Sequence, residues 1–287
     1  MNKIGRIYKI LSKFYYVKVD DKIYECMAKG KFKNIGTNLC VGDIVEIEID
    51  KFNEEKGNIV KVHDRKNCII RPNVSNIDKL IITLSILDPL PNLVLLDKQI
   101  INCHINNIEP IICITKIDID KNKDYLKIKE LYEKIGYKVF AISNIDKKGI
   151  ENLEKELEDC FCVLSGNSGI GKSSLVNNIL GYEVMQPGQI SKKIKRGKQT
   201  TRHIEVFDKG NIMIADTPGF SVFEDVKIKK QDVINNFVEF NEYIGQCQYR
   251  DCAHIKEDNC AIKDSVENGE ISIDRYERFV QIYNECD

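Results

Sequence analysis

The stretch GNSGIGKSSL, residues 166 to 175, constrains the fold more than any other part of the chain. It follows the apolar segment FCVLSG and opens the segment KSSLVNNIL, so a strand passes through a glycine-rich turn into a helix. Gly166, Gly171, Lys172 and Ser173 fit the pattern G-x-x-x-x-G-K-[ST] of a phosphate-binding loop. Successive backbone N–H groups and the positive end of the helix would face the phosphates. The other members of the predicted loop are Asn167, Ser168, Gly169, Ile170 and Ser174.

Specific side chains in and after this loop predict how a nucleoside triphosphate would be held. Lys172 would reach the β- and γ-phosphates and assist catalysis, and the Ser173 hydroxyl would ligate Mg²⁺. The tetrapeptide DTPG, residues 216 to 219, follows the apolar strand NIMIA. Asp216 is placed to hold the magnesium ion through water, and the Gly219 N–H to sense the γ-phosphate. Asp-Thr-Pro-Gly alone is also a good turn, but downstream of a phosphate loop it supports the prediction.

The segment ICITKID, residues 112 to 118, ends in Thr-Lys-x-Asp, a pattern typical of guanine recognition. The Asp118 carboxylate can accept from both the N1–H and the exocyclic amine of guanine, whereas adenine would leave it unpaired. Lys116 would lie along the base and Thr115 would brace the loops, although Asn is the usual first residue of this motif. A second base loop, FAISN, contains Ser143 as the expected contact. Both loops follow predicted parallel strands, where such sheets bind ligands.

The order of these motifs along the chain is unusual, because both base loops precede the phosphate loop. In ordinary GTPases the phosphate loop comes first, so we predict a circular permutation, which is tolerated where native termini lie close together. Switch II, at DTPGF, then runs directly into the C-terminal region, so a change at the γ-phosphate would be passed to that region.

Hydrophobic patterning divides the chain into three predicted domains. Residues 1–70 read as five short strands with turn residues between them, which indicates a small closed β-barrel; an OB-fold is the leading candidate and an SH3-like barrel the alternative. Residues 71–222 alternate apolar strands with helices, as in an α/β domain whose parallel sheet is covered on both faces. Residues 223–287 read as a mostly helical, charged domain.

The last domain contains the sequence CQYRDCAHIKEDNC, which places Cys247, Cys252, His254 and Cys260 in a C-x4-C-x-H-x5-C pattern. Three thiolates and one imidazole complete a closed tetrahedral set for Zn²⁺, so we predict a structural site. The surrounding segment has little apolar content, so metal ligation would supply much of its folding energy. Buried thiols beside a chance histidine are the alternative. The final helix is expected to pack through one apolar face, formed by Ile273, Tyr276, Phe279, Val280 and Tyr283.

Composition limits the compartment and the partners. The 287 residues are 43% hydrophobic, which suffices to form hydrophobic cores. The net charge is −1, so the chain as a whole has no polyelectrolyte character. Eleven cysteines scattered over this length favour a reducing cytoplasm over a secreted disulfide framework. We find no apolar run of membrane-spanning length and no signal-peptide core, so we expect a cytoplasmic protein without a membrane partner.

Local charge gives a separate indication of an RNA partner. No acidic residue lies between Val184 and Ile204, and a stripe on the predicted barrel is also basic. Such a loop and such a stripe suit a phosphate backbone, although a solvated charged loop explains the first equally well. The basic residues are Lys192, Lys193, Lys195, Arg196, Lys198 and Arg202 in the loop, and Lys29, Lys31 and Lys33 in the barrel.

With these motifs in this order, the chain resembles the ribosome small subunit-dependent GTPases, the RsgA or YjeQ family. The resemblance covers nearly the whole length and includes AKGKFKN and VGDIVEI in the barrel, IIRPNVSNID at the junction and GQISKKIKRGKQTTRH in switch I. It implies an OB-fold, a permuted GTPase domain and a zinc domain, with GTP or GDP and Mg²⁺ as ligands. It also implies a late-stage assembly factor that binds the 30S subunit and 16S rRNA. The subunit would stimulate its GTP hydrolysis, and hydrolysis would drive release. We expect a monomer.

The catalytic residue departs from this family's pattern. Many GTPases carry a water-orienting Gln just after the D-x-x-G motif, where this chain has Phe220. The family's usual substitute is a switch I His in a pattern like G-[RK]-H-T-T, and this chain reads GKQTTRH with Gln199 at that position. The Gln199 amide could orient water without acting as a base. Thr201, rather than Thr200, is the expected Mg²⁺ ligand, and His203 is the fallback for Gln199.

Two other functions remain open at this stage. A P-loop ATPase or small-molecule kinase is disfavoured by Asp118 and by the barrel and zinc modules. A non-catalytic RNA-binding scaffold would hold nucleotide without turning it over.

Overall fold

The computed structural model describes residues 2–28, 38–184, 204–216 and 227–286. The strands of these ranges are β1 Asn2–Leu11, β2 Phe14–Val19, β3 Lys22–Ala28, β4 Ile44–Ile49, β5 Lys56–Val62, β6 Cys68–Ile69, β7 Val74–Ser75, β8 Lys79–Ser85, β9 Glu109–Thr115, β10 Lys138–Ile142, β11 Phe161–Ser165, β12 Glu205–Lys209 and β13 Ile212–Asp216. The helices are α1 Leu93–Ile105, α2 Tyr125–Lys134, α3 Ile150–Leu157, α4 Lys172–Leu180, α5 Lys230–Asn236, α6 Ala261–Glu267 and α7 Ile273–Glu285. Within these ranges, no helix has the length and apolar character that crossing a bilayer demands.

The first five strands close into a barrel. β2 pairs with β1 and β3, β3 runs parallel to β5, β5 pairs with β4, and β4 returns to β1. Alternate residues point inward along each strand, which is why the sequence shows period-2 patterning. The barrel core contains Ile7, Val17, Tyr24, Cys26, Val45, Ile47 and Ile59. The predicted OB-type barrel is confirmed.

The central domain is a sheet with helices on both faces. Strands β10, β9, β8, β11 and β13 run parallel in that order, and β12 pairs antiparallel with β13. All seven residues of β8 are buried, because helices cover both sides of the strand. One face packs against α1 and α2 through residues such as Leu96 and Tyr132. The other packs against α3 and α4 through residues such as Leu153 and Leu175.

The barrel and the central domain share one continuous sheet, which the sequence did not predict. β1 of the barrel pairs with β12 through Lys9 and Glu205, so eleven strands are joined edge to edge. Two ion pairs cross this joint, at 2.7 Å between Lys9 and Glu205 and at 2.6 Å between Lys18 and Asp208. The strand that follows switch I is therefore fastened directly to the barrel.

The C-terminal domain is helical and packs on α1. Its core is a cluster of aromatic rings, with the centroids of Phe240 and Phe279 4.8 Å apart, and Ile101 of α1 joins it. The predicted apolar face of the last helix is partly wrong. Phe279 is buried, but Ile273 is 54% exposed, and Arg275 is buried instead. The reason is that α7 lies against α1, which supplies an acidic partner for Arg275 inside the interface.

Candidate nucleotide site and metal centre

The predicted phosphate loop lies between β11 and α4, as the sequence requires. β11 ends at Ser165, and the helix begins at Lys172 behind Gly171, whose φ is +94°. Gly166 has a φ of +142°, and a Cβ added there would lie 2.5 Å from the carbonyl oxygen of Thr83 on β8. A side chain at this position would therefore strain the backbone and collide with β8, so the glycine allows the loop to turn this closely.

The loop exposes the groups that a phosphate needs. Asn167, Ser168 and Gly169 are exposed, whereas Ile170 is buried and anchors the loop in the core. The Lys172 ammonium donates to the carbonyl oxygens of Gly166 and Asn167, the latter at 2.6 Å, so it reaches back across the loop. Phosphate oxygens could replace these acceptors. Ser173 and Ser174 lie half-buried in the first turn of α4, beside this lysine.

The first base loop follows β9 and contacts the phosphate loop. Thr115, the last residue of β9, is fully buried, and its hydroxyl donates to the carbonyl oxygen of Ile170 at 2.6 Å. Lys116 adopts a positive φ of 61°, and its ammonium donates to the carbonyl oxygen of Asp88. Asp118 is exposed two residues later, where its carboxylate is free to meet a base. The Thr115 hydroxyl thus joins the end of β9 to the phosphate loop, and the exposed Asp118 follows in the same loop as Lys116.

The second base loop follows β10, which lies beside β9 in the sheet. The Ser143 hydroxyl is hydrogen-bonded within its own loop, accepting from the backbone N–H of Asp146 at 3.0 Å. The next residue, Asn144, was missed by sequence reasoning. Its side-chain amide donates to the carbonyl oxygen of Gly171 at 3.1 Å, and Asn178 of α4 donates to its Oδ1 at 3.2 Å. A polar amide directly after a base-loop serine was the available indication.

Other predicted site residues lie outside the described ranges. These are Gln199, Thr200, Thr201, His203, Gly219 and Phe220, together with the basic residues of switch I and of the barrel stripe. Asp216 ends β13, which runs parallel to β11, so its backbone emerges at the same edge of the sheet as the phosphate loop. The structure therefore brings the base loops, the phosphate loop and the start of switch II to one edge.

The predicted metal centre is assembled in the C-terminal domain. Cys247, Cys252, His254 and Cys260 each offer one ligand atom, and these atoms lie within 4.8 Å of one another. The Nδ1 atom of His254 is 3.5 Å from the Cys247 sulfur and 3.4 Å from the Cys260 sulfur, and those two sulfur atoms are 3.8 Å apart. Tetrahedral zinc with Zn–S bonds of about 2.3 Å separates its sulfur ligands by about 3.8 Å. The donor set and its spacing fit a zinc ion.

The environment of the cluster supports the same donor chemistry. Burial lowers the pKa of His254, which favours the neutral imidazole that binds metals. Its backbone carbonyl accepts a hydrogen bond from the Tyr276 hydroxyl at 2.8 Å, which ties the cluster to α7.

Glu257 shapes the loop between the ligands and was also missed in the sequence. Its carboxylate accepts from the backbone N–H groups of Ala253, Ile255 and Lys256 at 3.0–3.1 Å. Burial raises the pKa of Glu257, but backbone N–H donors, including those of Ala253, Ile255 and Lys256, outweigh this effect and lower the pKa to about 2. The glutamate therefore stays ionised and holds the backbone on both sides of His254.

Two base loops and a phosphate loop meet at the carboxyl ends of β9, β10 and β11, in that order along the chain. This arrangement defines a circularly permuted GTPase. The RsgA GTPase family model matches residues 62–225, and the RsgA N-terminal domain model matches residues 4–59. The chain belongs to the RsgA family, and it is a GTPase that hydrolyses GTP.

Individual relatives agree with this assignment. The "Small ribosomal subunit biogenesis GTPase RsgA" of Clostridium acetobutylicum is 43% identical over 280 residues, covering 98% of this chain and 96% of that protein. The protein of the same name from a Clostridium botulinum strain is 38% identical over 283 residues, with the same coverage. The chain is 31% identical in sequence to YloQ, a circularly permuted GTPase, and matches its crystal structure with a TM-score of 0.82 over 99% of this chain and 95% of YloQ. It is also 31% identical to YjeQ from Thermotoga maritima and matches that crystal structure with a TM-score of 0.83 over 99% of this chain and 98% of YjeQ. The predicted permutation is confirmed.

Proposed function

We propose that this GTPase is a late-stage assembly and maturation factor of the 30S ribosomal subunit. Contact with the subunit stimulates GTP hydrolysis, and hydrolysis drives release of the protein. The observation that best supports this proposal is the shared sheet. An OB-type barrel, a scaffold that often binds oligonucleotides, is paired through β1 with β12, the strand that follows switch I. A partner that binds the barrel would therefore act, through β1, on β12, the strand next to the hydrolytic site. The relatives named above as small ribosomal subunit biogenesis GTPases support the choice of partner.

In this proposal each loop has a defined part in binding GTP and GDP. Asp118 accepts from the guanine edge, Lys116 lies along the base, and Ser143 closes the second base loop. Residues of the phosphate loop, from Gly166 to Ser174, enclose the phosphates, and Lys172 offsets their charge.

The remaining roles concern magnesium and water. Ser173 and Thr201 are the side chains that would hold Mg²⁺, with Asp216 reaching it through water; the ion neutralises charge on the phosphates. The Gly219 N–H senses the γ-phosphate, and Gln199 orients the attacking water.

The three domains, at residues 1–70, 71–222 and 223–287, divide the work between RNA binding, hydrolysis and docking. The basic stripe of the barrel and the basic loop of switch I contact 16S rRNA. One structural zinc per chain holds the C-terminal domain, and the protein acts as a monomer in the cytoplasm, where its reduced thiols suit the compartment.

Measuring GTP turnover by the full-length protein, alone and with purified 30S subunits, tests the proposal. We expect slow turnover alone and strong stimulation by 30S subunits, with 50S subunits as the matched control. Pelleting the subunits would then show more bound protein with a non-hydrolysable GTP analogue than with GDP. Equal turnover with and without 30S subunits would contradict the stimulation, and no turnover in either case would favour the non-catalytic scaffold. Equal affinity for ATP and GTP would favour the ATPase or kinase alternative.

A further inference from the structure

A second polar cluster lies at the junction between the barrel and the GTPase domain, apart from the nucleotide and zinc sites. Its centre is Asp43, whose side chain is fully buried. Arg65 contacts both carboxylate oxygens, with Nε 2.6 Å from Oδ1 and Nη2 2.8 Å from Oδ2. Ser75 donates to Oδ1 at 2.7 Å, and the backbone N–H of Cys40 donates to Oδ2 at 2.9 Å. The carboxylate is thus saturated with donors and fixes the segments around it.

Two cysteines from different segments meet at this cluster. Cys40 lies in the loop that leads into β4, and Cys68 opens β6 of the linking hairpin. Backbone pairing holds the two segments together, because Cys68 is opposite Ser75 and the Ser75 N–H donates to the carbonyl oxygen of Val41 at 2.9 Å. The Cys40 thiol donates to Asp43 Oδ1 at 3.6 Å. Arg65, which binds the same oxygen, also contacts the Cys68 sulfur, so both sulfur atoms lie against one ion pair. There the Cys40 thiol can reach the Cys68 sulfur as a hydrogen-bond donor.

The two thiols differ in access and in acidity. Cys40 is 1% exposed, whereas Cys68 is only partly buried. The hydrogen bond from Cys40 and the nearby Arg65 charge outweigh the opposing effect of burial and lower the pKa of Cys68 to about 7. The Arg65 Nη1 atom is 3.6 Å from the Cys68 sulfur. The hydrogen bond to Cys68 and burial raise the pKa of Cys40. At neutral pH, an accessible thiolate thus lies beside a protonated thiol.

This combination is the usual arrangement of a redox-sensitive pair, in which an accessible low-pKa cysteine is oxidised and a neighbour resolves it. Other cysteines of the chain are in different environments. Burial raises the pKa of Cys26 to about 12, and it also raises the pKa of the partly exposed Cys160. Cys160 is partly buried like Cys68, but burial raises its pKa, whereas Cys40 and Arg65 lower the pKa of Cys68.

We propose that Cys68 and Cys40 are a modification site, at which hydroperoxides form an intrachain disulfide across the junction. The Cys68 thiolate attacks one oxygen of the hydroperoxide, the O–O bond breaks, and the other oxygen leaves as an alcohol or water after taking a proton. Cys68 is then a sulfenic acid. The Cys40 sulfur attacks the Cys68 sulfur and displaces hydroxide, which leaves as water with the Cys40 proton. Two thiols lose two electrons, and the hydroperoxide gains them.

The disulfide would join the loop before β4 to the hairpin that links the barrel to β8. The oxidised protein keeps its nucleotide site, which lies at the carboxyl ends of the strands of the GTPase domain. The disulfide prevents the barrel from separating from this hairpin. The inference concerns the junction alone and does not depend on the proposed role in subunit assembly.

Treating the full-length, zinc-loaded protein with hydrogen peroxide tests the pair. After alkylation of the remaining thiols and proteolysis, mass spectrometry should find a peptide pair linked through Cys40 and Cys68 that a dithiol reductant separates. Cys160→Ser, the matched control, should leave this link intact. Cys40→Ser should remove it and let Cys68 proceed to sulfinic or sulfonic acid, because the resolving thiol is gone.

Two further measurements can overturn the proposal. The alkylation rate of wild-type Cys68 by iodoacetamide should rise through a midpoint near neutral pH, and Cys40→Ala, which removes the donor, should move the midpoint upward. Absence of a linked peptide after peroxide treatment, in protein that still melts cooperatively, would contradict the disulfide. A Cys68 alkylation midpoint at the ordinary thiol pKa would contradict the thiolate.

Discussion

The hydroxyl of Thr115 donates a hydrogen bond to the carbonyl oxygen of Ile170 over 2.6 Å, inside the core. This contact joins the strand before the predicted guanine loop to the predicted phosphate loop, so the two halves of the proposed nucleotide site share one support. Gly171, the next residue along, is held from the other base loop by Asn144. The spacing between base and phosphate subsites therefore depends on a few buried hydrogen bonds.

Thr115→Val should weaken both the fold and the site. Removing the hydroxyl leaves the Ile170 carbonyl without this donor in a buried position, which costs about 1–3 kcal/mol in the free energy of unfolding. Affinity for GTP and GDP should fall together, because the phosphate loop loses its support. Urea denaturation and fluorescent-nucleotide titration measure the two effects. Thr115→Ser keeps the hydroxyl and should retain most of the affinity; equal losses in both variants would contradict the role of this hydrogen bond.

Asp118→Asn should change which base is bound. The amide presents a donor where guanine also donates, so GTP affinity should drop by roughly 1.5–3 kcal/mol, the worth of a charged hydrogen bond. Xanthosine triphosphate, which offers an acceptor at that position, should bind the variant better than the wild type. An Asp118→Asn protein that still prefers GTP would show that the carboxylate does not read the base.

Lys172→Ala should instead weaken binding of both GTP and xanthosine triphosphate, because it removes a phosphate contact.

The sequence was sufficient where structure is determined locally. The continuously apolar segment EPIICIT is β9 Glu109–Thr115, and KSSLVNNIL is α4 Lys172–Leu180, because strand burial and the glycine turn leave few alternatives. Contacts between distant segments were not predictable. Lys9 pairs with Glu205, and Arg275 pairs with Asp97, although the partners lie far apart in the sequence. The residues next to a lysine or an arginine do not indicate which distant carboxylate it will contact.

Arg275→Met should destabilise the attachment of the C-terminal domain. Arg275 is 2% exposed and forms ion pairs with Asp97 of α1 and with Glu239, at 2.6 Å for the latter. Burial alone would lower the pKa of Arg275, but Asp97 and Glu239 raise it, so the buried guanidinium stays charged. Removing it leaves two buried carboxylates with less compensation, at a cost of about 3–5 kcal/mol.

The same helix pair contains a natural control. Lys98 of α1 pairs with Glu285 of α7, and both side chains are substantially exposed, at 31% and 44%. Because solvent screens such a pair, Lys98→Met should cost only about 0–1 kcal/mol. Urea denaturation of both variants compares the two ion pairs directly. Similar destabilisation by the two substitutions would mean that burial of the Arg275 pair does not determine its contribution.

Chelation of zinc, or Cys252→Ser, should loosen the C-terminal domain while leaving nucleotide binding by the GTPase domain largely intact. The ligand set closes the short segment between Cys247 and Cys260, so loss of one ligand removes folding energy supplied by the metal. Elemental analysis should give one zinc per chain, and the melting curve should shift downward on chelation. Cys286→Ser, in the same domain but outside the cluster, should change neither. Metal-free protein with an unchanged melting curve would reject a structural zinc.

We propose that Gln199 of switch I orients the attacking water, at the position where the family resemblance leads us to expect a His. A glutamine amide can both donate to and accept from a water molecule but cannot take its proton at neutral pH, so in this proposal it would act without being a base. We expect slow turnover by the free protein and strong stimulation by 30S subunits. Gln199→Ala should remove most of this stimulation and leave GTP affinity unchanged, because the amide acts on water rather than on the nucleotide.

The two candidate side chains are distinguished by comparing Gln199→Ala with His203→Ala under single-turnover conditions on the subunit. Gln199→His, which restores the family's residue, should retain stimulation and introduce a pH dependence near the imidazole pKa of about 6.5 that the wild type lacks. His203→Ala should hydrolyse GTP at the wild-type rate, because in the sequence His203 begins HIEVF, the segment predicted to form the next strand. If Gln199→Ala hydrolyses normally on the subunit and His203→Ala does not, water is positioned by His203, and the assignment of Gln199 is wrong.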